Sequence, residues 1–578
     1  MIRGFSAVSV IVLLFFISGF SQQQSPPNPL DGKYFRSPVD FPFRLSGNFC
    51  ELRETHFHSG IDIKPSGHRD NPIYSIADGY VSRIKISAGG YGIAVYVDHP
   101  ETGYTSVYAH LENLNEHFDF VVRQIQIAQE SYELDFLPSP DVLPVKKGDI
   151  IGEMGNTGYS FGTHLHFEIR DTKSENPINP FHFRLKTEDN IPPSLVSLSV
   201  HGLDPDLHKI WEQNIGLATS EGNAIHIASP IKVPAWRAGI ALQMYDRTNG
   251  SHNKQGIYGL RMYVDDSLVY SYHMDKISFD QARYITGFYD NKIKKTNRAT
   301  YSLCYKYPGN DLEFLAHASD GIIPVYAAQE RKIKIVVEDF NQNHKTLTFS
   351  LLRADHMVEQ AAKDSTATLV KVGEPVIISE NTLLLSFEKN SLFRNIRLII
   401  KSDISSSNET KYTIHDQYEP IKKPIALSLK PEKTNITDMN KAIIVRTNAN
   451  GRGKTNYGGT WKDGVLNTGM IEFGTYFIDY DTIAPTIKRV DFSANASRKT
   501  KFRFELEENL PTRGQFVNDM KIKVWIDRNF IVSPYSSKTK ILEIPLTDLY
   551  SGDHSLKIEA KDHSGNTSYF NATFTTSK

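Results

Sequence analysis

The sequence predicts a mainly β protein, in which an antiparallel β domain with a helical insertion precedes β-sandwich domains. Many short segments alternate polar and apolar residues, which is the period of a half-buried strand. Turn signals such as Asp-Gly and Gly-Gly separate these segments. The 28 Tyr and 32 Phe residues also favour strands. The length of 578 residues fits about four domains.

The composition makes several kinds of partner and site improbable. The formal net charge is -1, so nothing in the charge favours nucleic acid or an anionic surface as a partner. Only Cys50 and Cys304 occur, and we expect them in different domains, so no disulfide framework is predicted. Two cysteines are also too few for a cysteine-based zinc site. A metal would therefore be held by His, Asp or Glu.

The first residues have the pattern of a secretory signal peptide. Arg3 precedes an apolar run over residues 7–20, and small residues lead to a predicted cleavage after Ser21. We predict a signal peptide over residues 1–21 and a Pro-rich leader over residues 22–39. An uncleaved anchor is the alternative, although the apolar run is short for a membrane span.

The mature chain is expected to be exported, either periplasmic or secreted, without stable membrane insertion. No later stretch is long and apolar enough to span a bilayer. No cysteine stands directly after the apolar run, so the sequence does not predict a lipoprotein anchor.

Residues 40–188 form the first predicted domain. Alternating patterns predict strands near residues 73–77, 80–86, 93–98 and 104–110. Apolar residues at helical spacing then run from Phe118 to Leu134, before a Leu-Pro-Ser-Pro stretch. This interruption predicts a helical insertion at about residues 115–140.

A repeated phrase divides the rest of the chain. Asp-Asn-Ile-Pro-Pro at residues 189–193 is followed by a strand pattern, and so is Asp-Thr-Ile-Ala-Pro at residues 481–485. Short strands with turn signals at roughly 8–12-residue spacing are typical of β-sandwiches. We predict one sandwich over residues 189–352, an Ig-like one over residues 486–578, and a β-rich domain over residues 353–485.

A second repeat lies near the end of each predicted sandwich. A strand ends in Asp339 and a turn reaches Asn343, and Asp562 and Asn566 have the same spacing. Such turns either bind calcium or are capped by their own Asp and Asn side chains, and the second interpretation is favoured. No cluster of potential metal ligands at close sequence spacing occurs in these downstream domains.

The most informative stretch is Gly-Thr-His-Leu-His-Phe-Glu at residues 162–168. On a strand, residues i and i+2 face the same side, so His164, His166 and Glu168 are expected to line one face. Two imidazoles on one face are suited to holding a metal. Glu168 either orients one of these imidazoles or is an ordinary surface carboxylate.

An upstream stretch supplies matching ligands. On a straight strand the Cα atoms of His58 and Asp62 would lie about 13 Å apart, too far to share an ion. Gly60 offers the bend that would bring them together. With one later histidine the site has three N and O ligands and an open fourth position, which is the pattern of a catalytic zinc site.

Spacing alone leaves the choice of histidines open. His56 and His58 repeat the spacing of the later pair, so either member of each pair satisfies the pattern. His110 ends another predicted strand and is a further candidate. We interpret His56, His68 and His99 as surface or structural residues.

Five segments, in this order, resemble the lysostaphin-type (LytM-like) zinc metallopeptidases. They cover only about residues 40–185. The segments are His58-Ser59-Gly60-Ile61-Asp62, Ala77-Asp78-Gly79-Tyr80-Val81, Tyr108-Ala109-His110-Leu111, Val145-Lys146-Lys147-Gly148-Asp149-Ile150-Ile151-Gly152, and Gly155-Asn156-Thr157-Gly158 leading to His164-Leu165-His166-Phe167-Glu168.

The resemblance implies a compact antiparallel β peptidase domain with its site in a groove. It implies that His58, Asp62 and His166 bind one Zn²⁺. It also implies that His164 and His110 are catalytic, activating water and stabilising the tetrahedral intermediate. Members of the family cut peptide cross-links of bacterial peptidoglycan, so peptidoglycan peptide stems are the implied partner.

Two departures and two alternatives accompany this resemblance. Cys50 stands where the family tends to have glycine, and the insertion over residues 118–134 is longer than the usual connection.

One alternative is a non-catalytic regulator that binds and activates another cell-wall hydrolase, but such proteins typically lose metal ligands. The other is an adhesion or scaffold protein in which the sandwiches matter most and the first domain is ancillary. Independently of these alternatives, the C-terminal sandwiches are candidates for contact with a protein partner.

Overall fold

The computed structural model describes residues 34–577 except 43, 68–70, 186, 218–221, 316–318, 359–365, 405–408, 433–438, 449, 513–519 and 548. The predicted signal peptide, most of the leader and His68 lie outside these described residues. The described chain is mainly β, as predicted. Within it, no helix is both long and apolar enough to cross a membrane.

The first domain contains a nine-stranded antiparallel sheet and a three-stranded sheet. The large sheet has the order β1-β2-β11-β6-β5-β4-β8, with β12 beside β11 and β9 beside β4, and the small sheet has the order β3-β10-β7. The elements are β1 (Leu45–Gly47), β2 (Ile61–Ile63), β3 (Pro72–Tyr74), β4 (Gly79–Ile86), β5 (Ile93–His99), β6 (Tyr104–Ala109), β7 (Leu111–Leu114), α1 (Glu116–Gln129), β8 (Leu134–Phe136), β9 (Pro144–Val145), β10 (Ile150–Met154), β11 (Leu165–Asp171) and β12 (Pro177–Ile178).

Helix α1 is the predicted insertion, but it ends before Leu134. Asn115 caps its start, since the Asn115 side chain accepts a hydrogen bond from the Phe118 amide. Glu130 has a left-handed backbone with a φ of 44°, which ends the helix. The chain then forms β8, whose Leu134 pairs with Ile86 of β4. Apolar spacing continued past the helix because β8 is also half-buried.

Strand β11 lies between β2 and β6 and is buried on both faces, so the expected half-buried strand is wrong on this point. Its apolar face packs into the core through Leu165, Phe167 and Ile169. The opposite face is also covered, and Glu168 is fully buried. His166 pairs with Asp62 of β2 on one side and with Ala109 of β6 on the other. The register therefore brings residues from three strands to one place.

Position 60 requires glycine because the backbone of β11 lies too close for a side chain, and not because of an unusual backbone angle. A Cβ atom on Gly60 would lie 2.3 Å from the Phe167 carbonyl oxygen and 2.8 Å from the Glu168 Cγ. No side chain fits between β2 and β11 at this point.

We expect Gly60→Ala to destabilise the domain by about 1–3 kcal/mol, because the added methyl forces the two strands apart. Urea unfolding of the two proteins measures the difference. Gly216→Ala is the control, since a Cβ at Gly216 meets no atom within 4 Å. Equal losses in the two variants would contradict the proposed strand contact.

Two sheets face each other in the second unit. Their orders are β14-β13-β17-β20, with β21 beside β17, and β15-β23-β22-β18-β19, with β16 beside β23. The elements are β13 (Ser194–Leu203), β14 (Lys209–Gly216), β15 (Ala224–His226), β16 (Ile231–Val233), β17 (Arg237–Tyr245), β18 (Gly259–Val264), β19 (Ser267–His273), the 3-10 helix Phe279–Gly287, α2 (Asn291–Asn297), β20 (Ser302–Leu303), β21 (Ile323–Pro324), β22 (Arg331–Glu338) and β23 (His344–Arg353).

The core of this second unit extends into the first domain. Phe57 packs edge-on against Phe288 and Phe314, with ring centroids 5.8 and 5.5 Å apart. Cys50 and Cys304 are both free and buried, and both belong to this core. The two cysteines were expected in different domains but share one core, because residues 49–57 leave the large sheet of the first domain and enter the neighbouring core.

The remaining chain forms two further units, each with its own core. The third contains β24 (Thr368–Val370), β25 (Val376–Glu380), β26 (Leu383–Phe387), β27 (Ile396–Leu398), β28 (Ile400–Ile404), β29 (Thr410–Ile414), β30 (Ile425–Leu429), β31 (Ala442–Thr447), β32 (Thr455–Asn456), β33 (Thr460–Lys462), β34 (Val465–Met470) and β35 (Gly474–Tyr480). The fourth contains β36 (Thr486–Asp491), β37 (Lys501–Glu507), β38 (Lys521–Ile526), β39 (Asn529–Phe530), β40 (Tyr535–Ser536), β41 (Ile541–Pro545), β42 (Gly552–Lys561) and β43 (Thr567–Thr576).

Candidate metal centre and active site

Three potential metal ligands meet between β2 and β11. The His58 Nε2 atom lies 2.9 Å from the Asp62 Oδ1 atom and 3.0 Å from the His166 Nδ1 atom. The His166 Nδ1 atom lies 3.0 Å from the same Asp62 oxygen. All three residues are buried. The structure thus brings together the ligand set that the resemblance implied.

Each histidine of this triad is oriented by a hydrogen bond from its other ring nitrogen. His58 donates from Nδ1 to the Asn48 carbonyl at 2.7 Å, and His166 donates from Nε2 to Glu168 at 2.8 Å. A carbonyl or carboxylate oxygen only accepts, so the donating nitrogen carries the proton. In each neutral ring, the nitrogen facing Asp62 therefore has its lone pair free for a metal.

The donor set fits a zinc ion. Zinc lies about 2.0–2.2 Å from N and O ligands in a tetrahedral site, which separates the ligands by about 3.4 Å. The observed separations of 2.9–3.0 Å need to open by only a few tenths of an ångström. Two imidazoles and one carboxylate leave a fourth position for water or substrate.

The charges at the site favour a cation. Burial alone would raise the pKa of Asp62, but His58 and His166 outweigh it and hold that pKa well below its ordinary value. Burial alone would lower the pKa of His166, but hydrogen bonds to Asp62 and Glu168 raise it to about 9. Without an ion, the site therefore holds a proton on His166 at neutral pH, and a metal would replace that proton.

Glu168 is a buried partner of the triad, so the interpretation of a surface carboxylate is not supported. It accepts hydrogen bonds from Ser59 Oγ at 2.6 Å, from Tyr91 OH, and from Arg170 Nε at 2.6 Å. These contacts fix the carboxylate that orients His166. Arg53 donates to the second oxygen of Asp62 at 2.8 Å.

His164 and His110 lie beside the triad with their rings 4.8 Å apart between centroids. His164 donates from Nδ1 to the Gly162 carbonyl at 2.8 Å, and its Nε2 atom lies 3.6 Å from Asp62 Oδ1. His110 donates from Nδ1 to the Thr157 carbonyl at 2.8 Å. Both rings therefore keep an unprotonated Nε2 atom when neutral.

Two local features hold these rings in place. His164 precedes β11 rather than lying on it, and forms an isolated bridge with Gly155. His110 has a φ of 61°, an uncommon conformation for a non-glycine residue, at the point where β6 turns into β7. Burial, together with the charges of His166 and His164, lowers the pKa of His110 to about 3. His110 is therefore neutral in the ion-free site at neutral pH.

The other candidate histidines that the structure describes are not part of the triad. His56 is exposed. His99 is buried and bonds to the Asp78 carbonyl at 2.9 Å and to Ser106 at 2.8 Å, which is a structural role. Sequence reasoning did not single out Ser59, Tyr91 or Arg170, because only the tertiary fold brings them to Glu168.

The fourth unit touches the loop that leads to His164. The Lys538 Nζ atom lies 3.9 Å from the centroid of the Phe161 ring and also contacts the Ser160 carbonyl. Lys523 forms an ion pair of 2.8 Å with Glu130, at the end of helix α1. The helical insertion and the loop beside the site thus both contact the C-terminal sandwich.

Comparisons with known proteins match the domain that carries this site. Residues 56–130 and 143–180 match the model of peptidase family M23, and residues 367–481 match that of a Zu5-like domain. The chain is 32% identical over 139 residues to the DD-carboxypeptidase/endopeptidase Mpg of Neisseria meningitidis, covering 24% of this chain and 25% of that protein.

Two further similarities cover nearly all of a smaller protein. The lipoprotein NlpD of Yersinia enterocolitica is 32% identical over 114 residues, which are 20% of this chain and 92% of that protein. The catalytic domain of lysostaphin from Staphylococcus simulans is 22% identical, covering 24% of this chain and 91% of that chain with a TM-score of 0.17.

The matched segment is the one that holds the His-Asp-His triad, so the site-bearing domain is of the peptidase class. The chain belongs to peptidase family M23. It spans only about a quarter of the length of the Neisseria relatives it matches.

Proposed function

We propose that this protein is a zinc-dependent endopeptidase that hydrolyses peptide cross-links of bacterial peptidoglycan. The observation that carries the proposal is the triad of ligand atoms, separated by 2.9–3.0 Å, beside two further oriented histidines. A regulator without catalysis has no need for this complete set. Related proteins named as peptidoglycan DD-endopeptidase, such as ShyC of Vibrio cholerae with 31% identity over 143 residues, also support it.

In this mechanism His58, Asp62 and His166 would hold the zinc. When bound, zinc supplies Lewis-acid chemistry that lowers the pKa of a water and polarises the scissile carbonyl. His164 Nε2 accepts the proton of the attacking water, since its Nδ1–H is held by the Gly162 carbonyl. The protonated imidazole then returns that proton to the leaving amine.

His110 takes the complementary position. Its Nε2 atom is unprotonated at rest, because Nδ1 carries the ring's proton and donates to Thr157. His110 Nε2 therefore accepts a hydrogen bond from the second hydrogen of the attacking water, and takes up that proton when the tetrahedral intermediate collapses to the product carboxylate.

The proposed substrate is the D-Ala–diaminopimelate cross-link, reached after export by the predicted signal peptide. Digestion of defined cross-linked muropeptide dimers, with products identified by mass, tests the function. We expect each dimer to gain one water and give two monomers. Intact dimers after incubation with zinc-loaded protein would contradict the proposal and favour the regulator.

We expect His110→Ala to lower the rate of dimer cleavage by about 10²–10⁴-fold, because a proton-transfer group is lost. Bound zinc should stay at the wild-type level, since His110 is not a ligand in this account. The measurement is dimer cleavage beside metal content. His56→Ala is the matched control and should leave both unchanged, because His56 is exposed. An equally active His110→Ala protein would exclude the proposed role.

A further inference from the structure

A small cavity lies where the first domain meets the second unit. Its volume is about 20 Å³, which is room for one ion or water. Three carboxylates line it, from Asp189, Asp246 and Asp339, and their ligand atoms all lie within 4.8 Å of one another. Asn48 of the first domain and Gln255 of the second unit complete this part of the lining.

Two buried oxygen atoms in this lining have no hydrogen-bond partner. They are Asp246 Oδ1 and Gln255 Oε1, on side chains that are each only 3% exposed. The Gln255 amide nitrogen donates to Thr248 Oγ1 at 3.0 Å, so its carbonyl oxygen is the atom left over. Buried acceptors are normally satisfied, and an orphaned pair around a cavity indicates a missing cation or donor.

The negative charge of this cluster is also uncompensated. Burial and the nearby charge of Asp339 raise the pKa of Asp246 to about 8. Burial likewise raises the pKa of Asp189, to about 6, where the neighbouring Asp339 adds to the effect. Without an ion, Asp246 therefore retains a proton at neutral pH.

The fourth unit contains a turn with the same hydrogen bonds as the Asp339 turn. Asn343 donates from its amide nitrogen to Asp339 at 2.7 Å and to the Asp189 carbonyl at 3.2 Å. The matching contacts of Asn566, to Asp562 and to the Asp481 carbonyl, are 2.7 and 3.1 Å long.

A lysine accompanies that second turn. Lys441 donates to Asn566 Oδ1 at 2.6 Å. Burial raises the pKa of Asp481, and the charge of Lys441 acts against that rise. Glu508 takes the place of Asp246, directly after a strand, as Asp246 does in the second unit. The lysine thus supplies part of the positive charge that the first cluster lacks.

We propose that Asp189, Asp246, Asp339 and Gln255 form a Ca²⁺ site in the second unit, at its boundary with the first domain. All four ligands offer oxygen, which hard cations prefer over the imidazoles of the zinc triad. Ca²⁺ at about 2.3–2.6 Å from each oxygen spans separations of up to about 4.8 Å, whereas Mg²⁺ demands shorter and more regular contacts.

The site is connected to the metal centre by one residue. Asn48 lines the cavity, and its side chain exchanges two hydrogen bonds of 2.8 Å with Gly256, next to Gln255. The Asn48 carbonyl in turn accepts the proton of His58 Nδ1. Ca²⁺ bound at this site would therefore stabilise the contact between Asn48 and Gly256, and with it the carbonyl that orients His58.

Equilibrium dialysis of ⁴⁵Ca²⁺ against the zinc-loaded full-length protein tests the proposal, with millimolar MgCl2 present and no chelator. We expect D246N to lose one bound Ca²⁺ per chain or to bind it at least 10-fold more weakly. E508Q is the matched control, at the corresponding position of the lysine-containing cluster, and should bind as the wild type does at the first site. Zinc content should be the same in all three proteins.

The outcomes separate clearly. Loss of one ion in D246N but not in E508Q supports the site. Absence of Ca²⁺ binding by the wild type, or equal binding by the wild type and D246N, overturns it. If D246N does not fold, D189N at the half-buried ligand makes the same comparison. The Ca²⁺ measurement does not depend on dimer cleavage. Failure to cleave dimers would therefore contradict the proposed function alone and leave the Ca²⁺ site untouched.

Discussion

His166→Ala is expected to abolish zinc binding and to reduce dimer cleavage by about 10³-fold or more. The change removes one of three ligands and leaves Asp62 and His58 unable to complete the coordination. A metal that contributes several kcal/mol of transition-state stabilisation corresponds to a loss of this size. Zinc content and cleavage rate, measured on the same preparation, check the prediction.

His117→Ala is the control for this experiment. His117 is exposed on helix α1, so its loss should change neither zinc content nor rate. Circular dichroism of both variants establishes whether the fold is kept. Full zinc content in a folded His166→Ala protein would be incompatible with the assigned ligand set.

Glu168→Ala is expected to have the largest effect on stability. It leaves the buried Arg170 guanidinium without its carboxylate, and removes the acceptor of the His166 Nε2–H. Breaking a buried ion pair in this way costs about 3–5 kcal/mol. Loss of the group that orients a metal ligand also lowers metal affinity by about 10–100-fold. Urea unfolding and zinc titration measure the two effects.

A double variant separates the two roles of Glu168. Adding Arg170→Met removes the orphaned cation, so part of the lost stability should return while zinc affinity stays low. Glu168→Gln keeps the side-chain volume and should fall between the wild type and Glu168→Ala in both measurements. Wild-type zinc affinity in Glu168→Ala would show that the carboxylate has only a structural role.

The sequence predicted the parts of the site that follow from local pattern. Alternation placed Leu165 and Phe167 on the core side of a strand and His166 on the other, and the structure has this arrangement. The bend near Gly60 was also predicted, since His58 and Asp62 could share an ion only if the chain turned. Burial of the His166 face was not predictable, because it depends on what the rest of the fold places there.

Features that depend on contacts between domains were not predictable from spacing. Asp189, Asp246 and Asp339 are separated by long stretches of chain and meet only in the folded structure, so no short motif could predict their cluster. The sequence repeat pointed to Asp339 and its turn. It did not point to Asp246, which follows strand β17 and joins the cluster only in the folded structure. The Zu5-like match at residues 367–481 likewise had no short signal.

Anomalous diffraction at the zinc edge, on crystals of the zinc-loaded protein, tests the central claim most directly. We expect one strong peak about 2.0–2.2 Å from His58 Nε2, Asp62 Oδ1 and His166 Nδ1. We expect no zinc peak in the Asp189–Asp246–Asp339 cavity. A triad without a peak, or with zinc bound through His56 or His164 instead, would contradict the proposed zinc site.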